Sequence, residues 1–192
     1  GFAKGYNDAL KHVDADIYAL VNSDIEVSEN WLKPIHAVFK QHSKTAIIQP
    51  KILDYKDKSK FEYAGAGGGF VDFMGYPFCR GRIFMDLEQD QGQFNDVADI
   101  FWASGACFFI KSDVYHQLGG FDEQYFMFGE DLDICYQVYK QGFETHYLPT
   151  TQIMHYQGES VKSAPFDSLN AFYDAMILFS DKHFSKSKGL LT

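Results

Sequence analysis

Residues 119–133 read GGFDEQYFMFGEDLD, and we expect the fold and chemistry of the chain to be organised around this stretch. Glu130, Asp131 and Asp133 fall where an amphipathic helical pattern begins, directly after an aromatic run and Gly129. The first turn of a helix carries partial positive charge and unpaired N–H groups, which keep carboxylates ionised near neutral pH. Such carboxylates can accept a proton or face a metal ion, although acids at a helix start also serve as ordinary caps.

The aromatic run beside these acids predicts a binding surface. Aromatic rings offer flat apolar faces of the kind on which sugar rings stack. The residues expected to form this wall are Phe121, Tyr125, Phe126 and Phe128.

A calcium-binding loop is the other use of the Asp131-x-Asp133 spacing. Cys135 stands at the next ligand position of such a loop, and Tyr136 stands where its sharp-turn glycine should be. The sequence therefore excludes a calcium loop here.

Composition restricts the class of protein. The chain has 192 residues, of which 46% are hydrophobic and 17% aromatic, so we expect one compact domain over residues 1–192. A net charge of -9 without a Lys/Arg cluster argues against nucleic-acid binding. No apolar run reaches membrane-spanning length, and no signal peptide is visible. The chain has three cysteines, which is an odd number, and none of them is spaced as a pair of metal ligands would be. This predicts buried free thiols in a reducing compartment.

Helical and strand patterns alternate along the first half of the chain. The apolar run 17–21 predicts a buried strand of the parallel type, an amphipathic helix follows around residues 31–39, and 45–49 predicts a second strand closed by Pro50. This alternation predicts an α/β fold. Residues 56–96 are glycine-rich and lack periodicity, so we expect a long loop that is functional or mobile.

Polar residues follow the predicted strands. Asn22 and Asp24 come directly after the first strand, at the carboxyl end where open α/β sheets bind ligands. Asp24 is therefore a candidate for a metal or phosphate site, although Asn, Ser and Asp are also common turn residues. His155 follows a short strand near the end of the chain, and it is either a ligand or a structural histidine.

The second half predicts further strands and helices. Small residues at 103–106 separate two predicted buried strands, 100–103 and 106–111, where they would admit a ligand or only allow close packing. A short helix begins at Ser112, and two short strands follow at 145–148 and 152–154. In the helix after Gly129, the predicted core residues are Leu132, Cys135, Val138 and Tyr139. The last predicted helix, 165–179, places Leu169, Phe172, Tyr173, Met176 and Phe179 on one face and precedes a frayed tail.

The ordered set of Asn22–Asp24, residues 103–106, residues 120–133, Pro149 and His155 resembles the family-two inverting glycosyltransferases of the GT-A fold. The closest likeness is to rhamnosyl- and galactosyltransferases of bacterial polysaccharide synthesis. The match covers residues 1–160, with a helix and tail over 161–192. It implies a GT-A α/β fold with a mixed, mostly parallel sheet flanked by helices.

The resemblance also implies an activity and the residues that perform it. The chain would move a sugar from a nucleotide-diphosphate sugar to a saccharide or lipid-linked saccharide, with Mg²⁺ or Mn²⁺ offsetting the charge of the leaving diphosphate. It would act in the cytoplasm, at the inner face of the cell membrane. The implied roles are general base for Asp131, acceptor binding for Glu130, Trp102, Ser104 and Gly105, donor binding for Asn7, Asn22 and Asp24, and metal binding for Asp24 and His155.

The sequence departs from the family pattern in three ways. Asn22 replaces the first acid of the Asp-x-Asp pattern, so metal binding would rest mainly on Asp24. Gln137 stands where the family usually has Arg. The family begins upstream of Gly1 with a strand and an acidic nucleoside-binding residue. We therefore expect this chain to be an N-terminally truncated, carboxyl-terminal portion of the catalytic domain that is inactive alone. We also expect it either to form a homodimer through the open edge of strand 17–21 or to be prone to aggregation.

Two other interpretations remain open. The first is a non-catalytic carbohydrate-binding module that uses the same aromatic cleft. The second is a structural remnant whose acids only cap helices.

Overall fold

A computed structural model describes residues 1–72, 76–156 and 167–184. Helices and strands alternate along most of it. The helices are α1 Phe2–Leu10, α2 Leu32–Gln41, α3 Ser112–Leu118, α4 Glu130–Lys140 and α5 Ser168–Phe184. The strands are β1 Ile17–Val21, β2 Ile25–Val27, β3 Thr45–Asp54, β4 Gly69–Val71, β5 Pro77–Cys79, β6 Arg82–Ile83, β7 Asp86–Leu87, β8 Ala98–Asp99, β9 Cys107–Lys111 and β10 Glu144–His155.

The central sheet has the strand order β1-β9-β3-β10-β2, with β8 paired to β10 as well. Strands β3 and β10 form a long parallel pair, while β9 is antiparallel to both β1 and β3. Strands β2 and β8 are antiparallel to β10. Strands β1, β3 and β10 therefore run in one direction, and their carboxyl ends meet at one edge. The predicted α/β fold with a mixed sheet flanked by helices is confirmed.

Successive side chains of each strand point to opposite faces of the sheet, so both faces carry apolar side chains, and helices cover both. One face packs against α1, α3 and α4, and this cluster includes Ala3, Leu20, Phe108, Val114 and Val138. The other face packs against α2, and this cluster includes Ile35, Phe39, Ile48, Phe109 and Ile153. Helix α5 packs on α4 through a smaller cluster of Tyr125, Leu132, Ala175 and Phe179.

Strand β1 differs from its prediction as a parallel strand. It pairs with β9 in antiparallel register and lies at the edge of the sheet. Tyr18 and Leu20 are buried, whereas Ala19 is exposed. A continuous apolar run predicts burial but not the direction of the partner strand, which is why the prediction of a parallel strand was wrong. The edge position is the one that the predicted homodimer requires, and the homodimer stays a prediction.

Several strand boundaries also differ. Strand β3 continues through Pro50 to Asp54, and β10 is one strand with a register shift between Leu148 and Gln152. Strand β9 pairs with β3 at Ile47 and Ile48, before the proline, so the missing N–H removes no bond to β9. Residues 100–103 do not form a regular strand in this structure, because the N–H groups of Phe101 and Trp102 both donate to the carbonyl of Gly69 and not to β10.

The region 56–96 was predicted to be a long loop, and its described part contains two small hairpins, β4–β5 and β6–β7. Gly81 connects them with φ of +85°, and a Cβ there would lie 2.6 Å from the ring of Phe61. Only glycine fits this turn without strain. The fold therefore brings this region back against the sheet, where Phe61 and Glu62 are fully buried.

Two predicted helix faces need correction. Tyr139 of α4 and Leu169 and Tyr173 of α5 are exposed, by 65%, 61% and 53%. Helix α5 buries Phe179, as predicted, together with Ala175, because its main contact is with α4 rather than with the sheet. Its predicted start at 165 and the tail from 185 lie outside the described residues.

Two further observations concern the cysteines and the length of the helices. All three cysteines are free and buried, as predicted. Across the described ranges, none of the helices combines the length and apolar character needed to cross a bilayer.

Candidate functional site

Four separate segments meet at the sheet edge where β1 and β10 end. The N–H of Asn22 donates to the carbonyl of Ala106 at 3.0 Å, which joins the end of β1 to the segment before β9. The N–H of Gly105 donates to Asp131 Oδ2 at 2.9 Å, which joins that segment to α4. The N–H of Tyr156 donates to the carbonyl of Asp24 at 2.9 Å, which adds the end of β10. Predicted site residues from distant parts of the sequence therefore share one edge.

Asp131 is held by backbone donors. Its Oδ2 accepts from the N–H of Gly105, and its Oδ1 accepts from the N–H of Leu132 at 2.8 Å. A Cβ on Gly105 would lie 3.4 Å from Asp131 Oδ2 and 3.5 Å from the ring of Phe2, so a glycine keeps this approach open. Burial raises the pKa of Asp131, and the two backbone donors only partly oppose it. The carboxyl is therefore oriented, and Asp131 as a whole residue is half-buried.

Glu130 is the acid of the site whose hydrogen-bonding capacity is least satisfied. It is 6% exposed, and its Oε2 has no hydrogen-bond partner among the described residues. Burial, followed by the charge of Asp131, raises the pKa of Glu130 to about 8, while its own backbone N–H lowers it. The expectation that the helix start keeps these carboxylates ionised is wrong for Glu130, because desolvation outweighs the first turn of the helix. The two carboxyls therefore titrate as a pair.

Asp133 has a structural position. It is fully buried, and its Oδ1 accepts from Tyr125 Oη at 3.2 Å. Its Oδ2 accepts from Gln137 Nε2 at 2.6 Å and Lys182 Nζ at 2.9 Å. The ring of His183 adds a contact of 2.6 Å between Nε2 and Oδ1. Asp133 thus joins α4 to α5, and Gln137 supports it from the position where the family pattern has Arg.

A second acidic group surrounds His155. Its Nε2 lies 3.4 Å from Asp24 Oδ1, and its Nδ1 lies 3.1 Å from Glu62 Oε1. Burial lowers the pKa of His155, but the hydrogen bond and charge of Glu62, joined by Asp24, outweigh burial, so the pKa is raised. Sequence reasoning missed Glu62 because it lies between aromatic residues in a region without periodicity. A buried partner for His155 could not be located from that pattern.

The geometry of Asp24 and His155 fits a shared divalent cation. Two adjacent ligands about 2.1 Å from an octahedral ion lie about 3.0 Å from each other, close to the observed separation of 3.4 Å. Within residues 1–72, 76–156 and 167–184, no group of three or more His, Cys, Asp or Glu side chains is arranged to hold a metal. The protein therefore offers two ligands, and water or substrate oxygens would complete the shell.

Asn7, predicted to bind the donor, makes contacts within the chain. Its Nδ2 donates to the carbonyl of Phe121 at 2.9 Å and to Glu123 Oε1 at 3.1 Å. Its Oδ1 accepts from Tyr115 Oη at 2.6 Å and from the N–H of Phe121 at 2.9 Å. These bonds fix α1 to the turn after Gly120. A contact between Asn7 and a donor stays a prediction.

The predicted acceptor residues differ in exposure. Gly105 borders Asp131, and Trp102 is half-buried with its Nε1 donating to the carbonyl of Phe70 at 2.8 Å. Ser104 is 3% exposed, and its N–H donates to Gln49 Oε1 at 2.8 Å. Ser104 therefore supports the segment through the buried Gln49, another residue that the sequence did not reveal.

The predicted aromatic wall is only partly formed. Phe121 and Tyr125 are 3% and 2% exposed and belong to the hydrophobic core, so they offer no stacking surface. Phe126 is 63% exposed, and Phe128 is half-buried. The prediction failed for the first two because an aromatic residue before a helix packs under it as readily as beside it.

The chain is similar to known bacterial glycosyltransferases. A family model described as glycosyltransferase like family 2 matches residues 1–168. An N-acetylglucosaminyl-diphospho-decaprenol L-rhamnosyltransferase of Mycobacterium tuberculosis is 34% identical over 83 residues, which cover 43% of this chain and 27% of that protein. The rhamnosyltransferase WbbL of Escherichia coli K12 is 33% identical over 167 residues, which cover 81% of this chain and 61% of that protein. The chain thus spans less than two thirds of either relative.

Solved structures with the same fold share little sequence. GalNAc-T7 with UDP, GalNAc and Mn²⁺ matches 94% of this chain and 34% of its own, with a TM-score of 0.66 at 16% identity. Residues 1–349 of S. aureus TarS match 98% of this chain and 53% of that chain, with a TM-score of 0.52 at 13% identity. These likenesses show the fold.

Proposed function

The chain belongs to the glycosyltransferase like family 2, and we propose that it carries the catalytic edge of a metal-dependent inverting glycosyltransferase. The reaction moves a sugar from a nucleotide-diphosphate sugar to a saccharide acceptor. The observation that carries this proposal is the arrangement at one sheet edge of a carboxyl held by Gly105 and Leu132 and of the Asp24–His155 pair. A base and a cation site at the same sheet edge are what displacement of a diphosphate needs.

The donor side rests on Asp24 and His155. These residues would hold a divalent cation, which when bound offsets the negative charge of the departing diphosphate. A nitrogen ligand is more usual for a transition metal than for Mg²⁺, so Mn²⁺ is the first ion to test. The fold neighbour GalNAc-T7 was crystallised with UDP and Mn²⁺, which supports the same choice.

The acceptor side rests on Asp131. An acceptor hydroxyl oxygen forms a bond to the anomeric carbon, its proton passes to an Asp131 oxygen, and the bond from the anomeric carbon to the diphosphate breaks with the electron pair leaving on the diphosphate. The N–H groups of Gly105 and Leu132 orient the carboxyl for this transfer. Glu130, with a pKa near 8, would lie beside the acceptor and donate a hydrogen bond to it while protonated.

The relatives favour a particular class of acceptor. The mycobacterial relative is named for L-rhamnose transfer to N-acetylglucosaminyl-diphospho-decaprenol, a lipid-linked saccharide. We extend that class to this chain: a deoxyhexose or hexose donor and a lipid-linked saccharide acceptor in bacterial polysaccharide synthesis, at the cytoplasmic face of the membrane.

The test is a transfer assay with the longest form of the polypeptide that can be expressed. A panel of nucleotide-diphosphate sugars is incubated with Mn²⁺ and a lipid-linked N-acetylglucosamine acceptor, and products are identified by mass spectrometry. We expect transfer with inverted anomeric configuration, abolished by a chelator. Glycan binding that needs neither nucleotide nor metal, together with no transfer from any donor, would instead support a carbohydrate-binding module.

A further inference from the structure

We propose that Glu62 is a positioning residue that fixes the orientation and tautomer of His155, so that Nε2 of the ring is directed at the divalent-cation site with Asp24. This inference rests on the proposed function for the identity of the ion. It assigns a role to a residue in the glycine-rich region 56–96, which folds back against the sheet.

The carboxyl of Glu62 is held firmly. The side chain is fully buried, and its Oε2 accepts from the N–H of Ala64 at 2.6 Å. The backbone N–H of Glu62 donates to the carbonyl of Ile52 in β3 at 3.1 Å. Its Oε1 therefore reaches His155 Nδ1, 3.1 Å away, from a fixed position next to the sheet.

The contact with Nδ1 determines what the other nitrogen can do. A histidine that donates Nδ1–H to a carboxylate keeps the lone pair of Nε2 free for a metal, and the hydrogen bond prevents rotation of the ring. The Nε2 atom is the one that faces Asp24 Oδ1 at 3.4 Å. The order Glu62, His155, Asp24 thus matches a carboxylate–histidine–metal arrangement, with Asp24 as the second ligand.

Burial of Glu62 requires an explanation because an uncompensated buried carboxylate is costly. Among the described residues, His155 is the ionisable group within ion-pair distance of it. A purely structural role would use this pair to fasten region 56–96 to the end of β10. That alternative predicts a loss of stability alone, whereas a positioning role also predicts a change in metal affinity and in the state of the ring.

The first measurement is Mn²⁺ affinity by electron paramagnetic resonance, with Mn²⁺ alone and with inorganic pyrophosphate as the diphosphate. Glu62→Ala should weaken Mn²⁺ binding by about tenfold to a hundredfold, the usual effect of losing a carboxylate behind a metal-bound histidine. Glu62→Gln keeps an acceptor oxygen and should lose less. The matched control is Asp90→Asn, because Asp90 also pairs from region 56–96 with a buried group, Lys51 at 2.6 Å, but does not contact His155.

The second measurement is the ¹⁵N spectrum of the His155 ring without metal. The wild-type ring should be in the Nδ1–H form when neutral, and Glu62→Ala should shift it toward a mixture while Asp90→Asn leaves it unchanged. Variants that fold, lose thermal stability equally and keep wild-type Mn²⁺ affinity and ring spectrum would overturn the inference. That result would leave the transferase proposal intact, whereas absence of transfer together with a Glu62-dependent Mn²⁺ affinity would contradict only the transferase proposal.

Discussion

The two acidic groups at this sheet edge contain the same kinds of side chain but have different partners. Glu130 and Asp131 form no ion pair with Lys, Arg or His in the described ranges, and burial raises the pKa of both. Asp24 and Glu62 instead face the two nitrogens of His155. An unpaired, partly desolvated carboxyl is suited to take up a proton, and a carboxylate beside an imidazole is suited to bind a cation. The partner, more than the residue type, separates the two roles.

The largest expected effect comes from Asp131→Asn, which replaces the proposed proton acceptor by a side chain of the same size and polarity. Transfer should fall by about a hundredfold or more, the usual scale for a lost general base. Mn²⁺ affinity should be unchanged, since Asp131 belongs to the group without a cation partner. Steady-state transfer and Mn²⁺ binding are measured on the same preparation. Near-normal transfer by Asp131→Asn with none by Glu130→Gln would move the base to Glu130.

The reciprocal variant is Asp24→Asn, which leaves an oxygen but removes the charge beside His155. Mn²⁺ affinity should fall by at least about tenfold, and the affinity for the nucleotide-sugar should fall with it, because both depend on the same cation site. Saturating Mn²⁺ should restore part of the transfer rate, which it cannot do for Asp131→Asn. If Asp24→Asn kept wild-type Mn²⁺ affinity, the separation of the two groups would be lost.

The sequence predicted which residues lie at this sheet edge better than it predicted their pKa values. Asn22–Asp24 and His155 could be placed at strand ends, and Asp131 at a helix start, because both positions follow from local pattern. Glu62 could not be found, since its contact with His155 spans 93 residues and depends on how an aperiodic region folds back. The protonation of Glu130 was also beyond the sequence, because it depends on burial by distant segments.

Asp133 lies in the same helical turn as Glu130 and Asp131, and it adds to the comparison a carboxylate whose role is structural. It has partners on every side, including Lys182 and His183 of α5, and its role is structural. Asp133→Asn should lower the free energy of unfolding by about 1–2 kcal/mol, by weakening charge-assisted hydrogen bonds. Thermal denaturation should show a fall of several degrees. Mn²⁺ affinity is the control, and a selective loss of Mn²⁺ affinity without loss of stability would contradict this assignment.

The smallest and most specific expected effect is that of Glu130→Gln on the pH dependence of stability. The pKa of Glu130 is raised from 4.5 to about 8 in the folded chain, so the folded state binds more protons than the unfolded state between these values. Stability contributed by the protonated carboxyl is therefore full below about pH 4.5 and is lost as pH rises through about 8. Thermal stability of the wild type should decline from pH 5 to pH 8, and Glu130→Gln should flatten this decline.

The same variant should move the pH dependence of transfer. The charge of Asp131 raises the pKa of Glu130, so Glu130 is the second of the pair to ionise, and loss of its proton near pH 8 should give a falling limb of transfer that Glu130→Gln shifts to higher pH. The maximal rate should change only a few-fold, because the base is still present. Transfer rates from pH 5 to pH 9 measure the shift, and Glu123→Gln, an exposed acid bonded to Asn7, is the control. A falling limb that stays in place would mean that the Glu130 proton does not contribute to transfer, and the contrast between a proton-sharing pair and a cation-binding group would then rest on His155 alone.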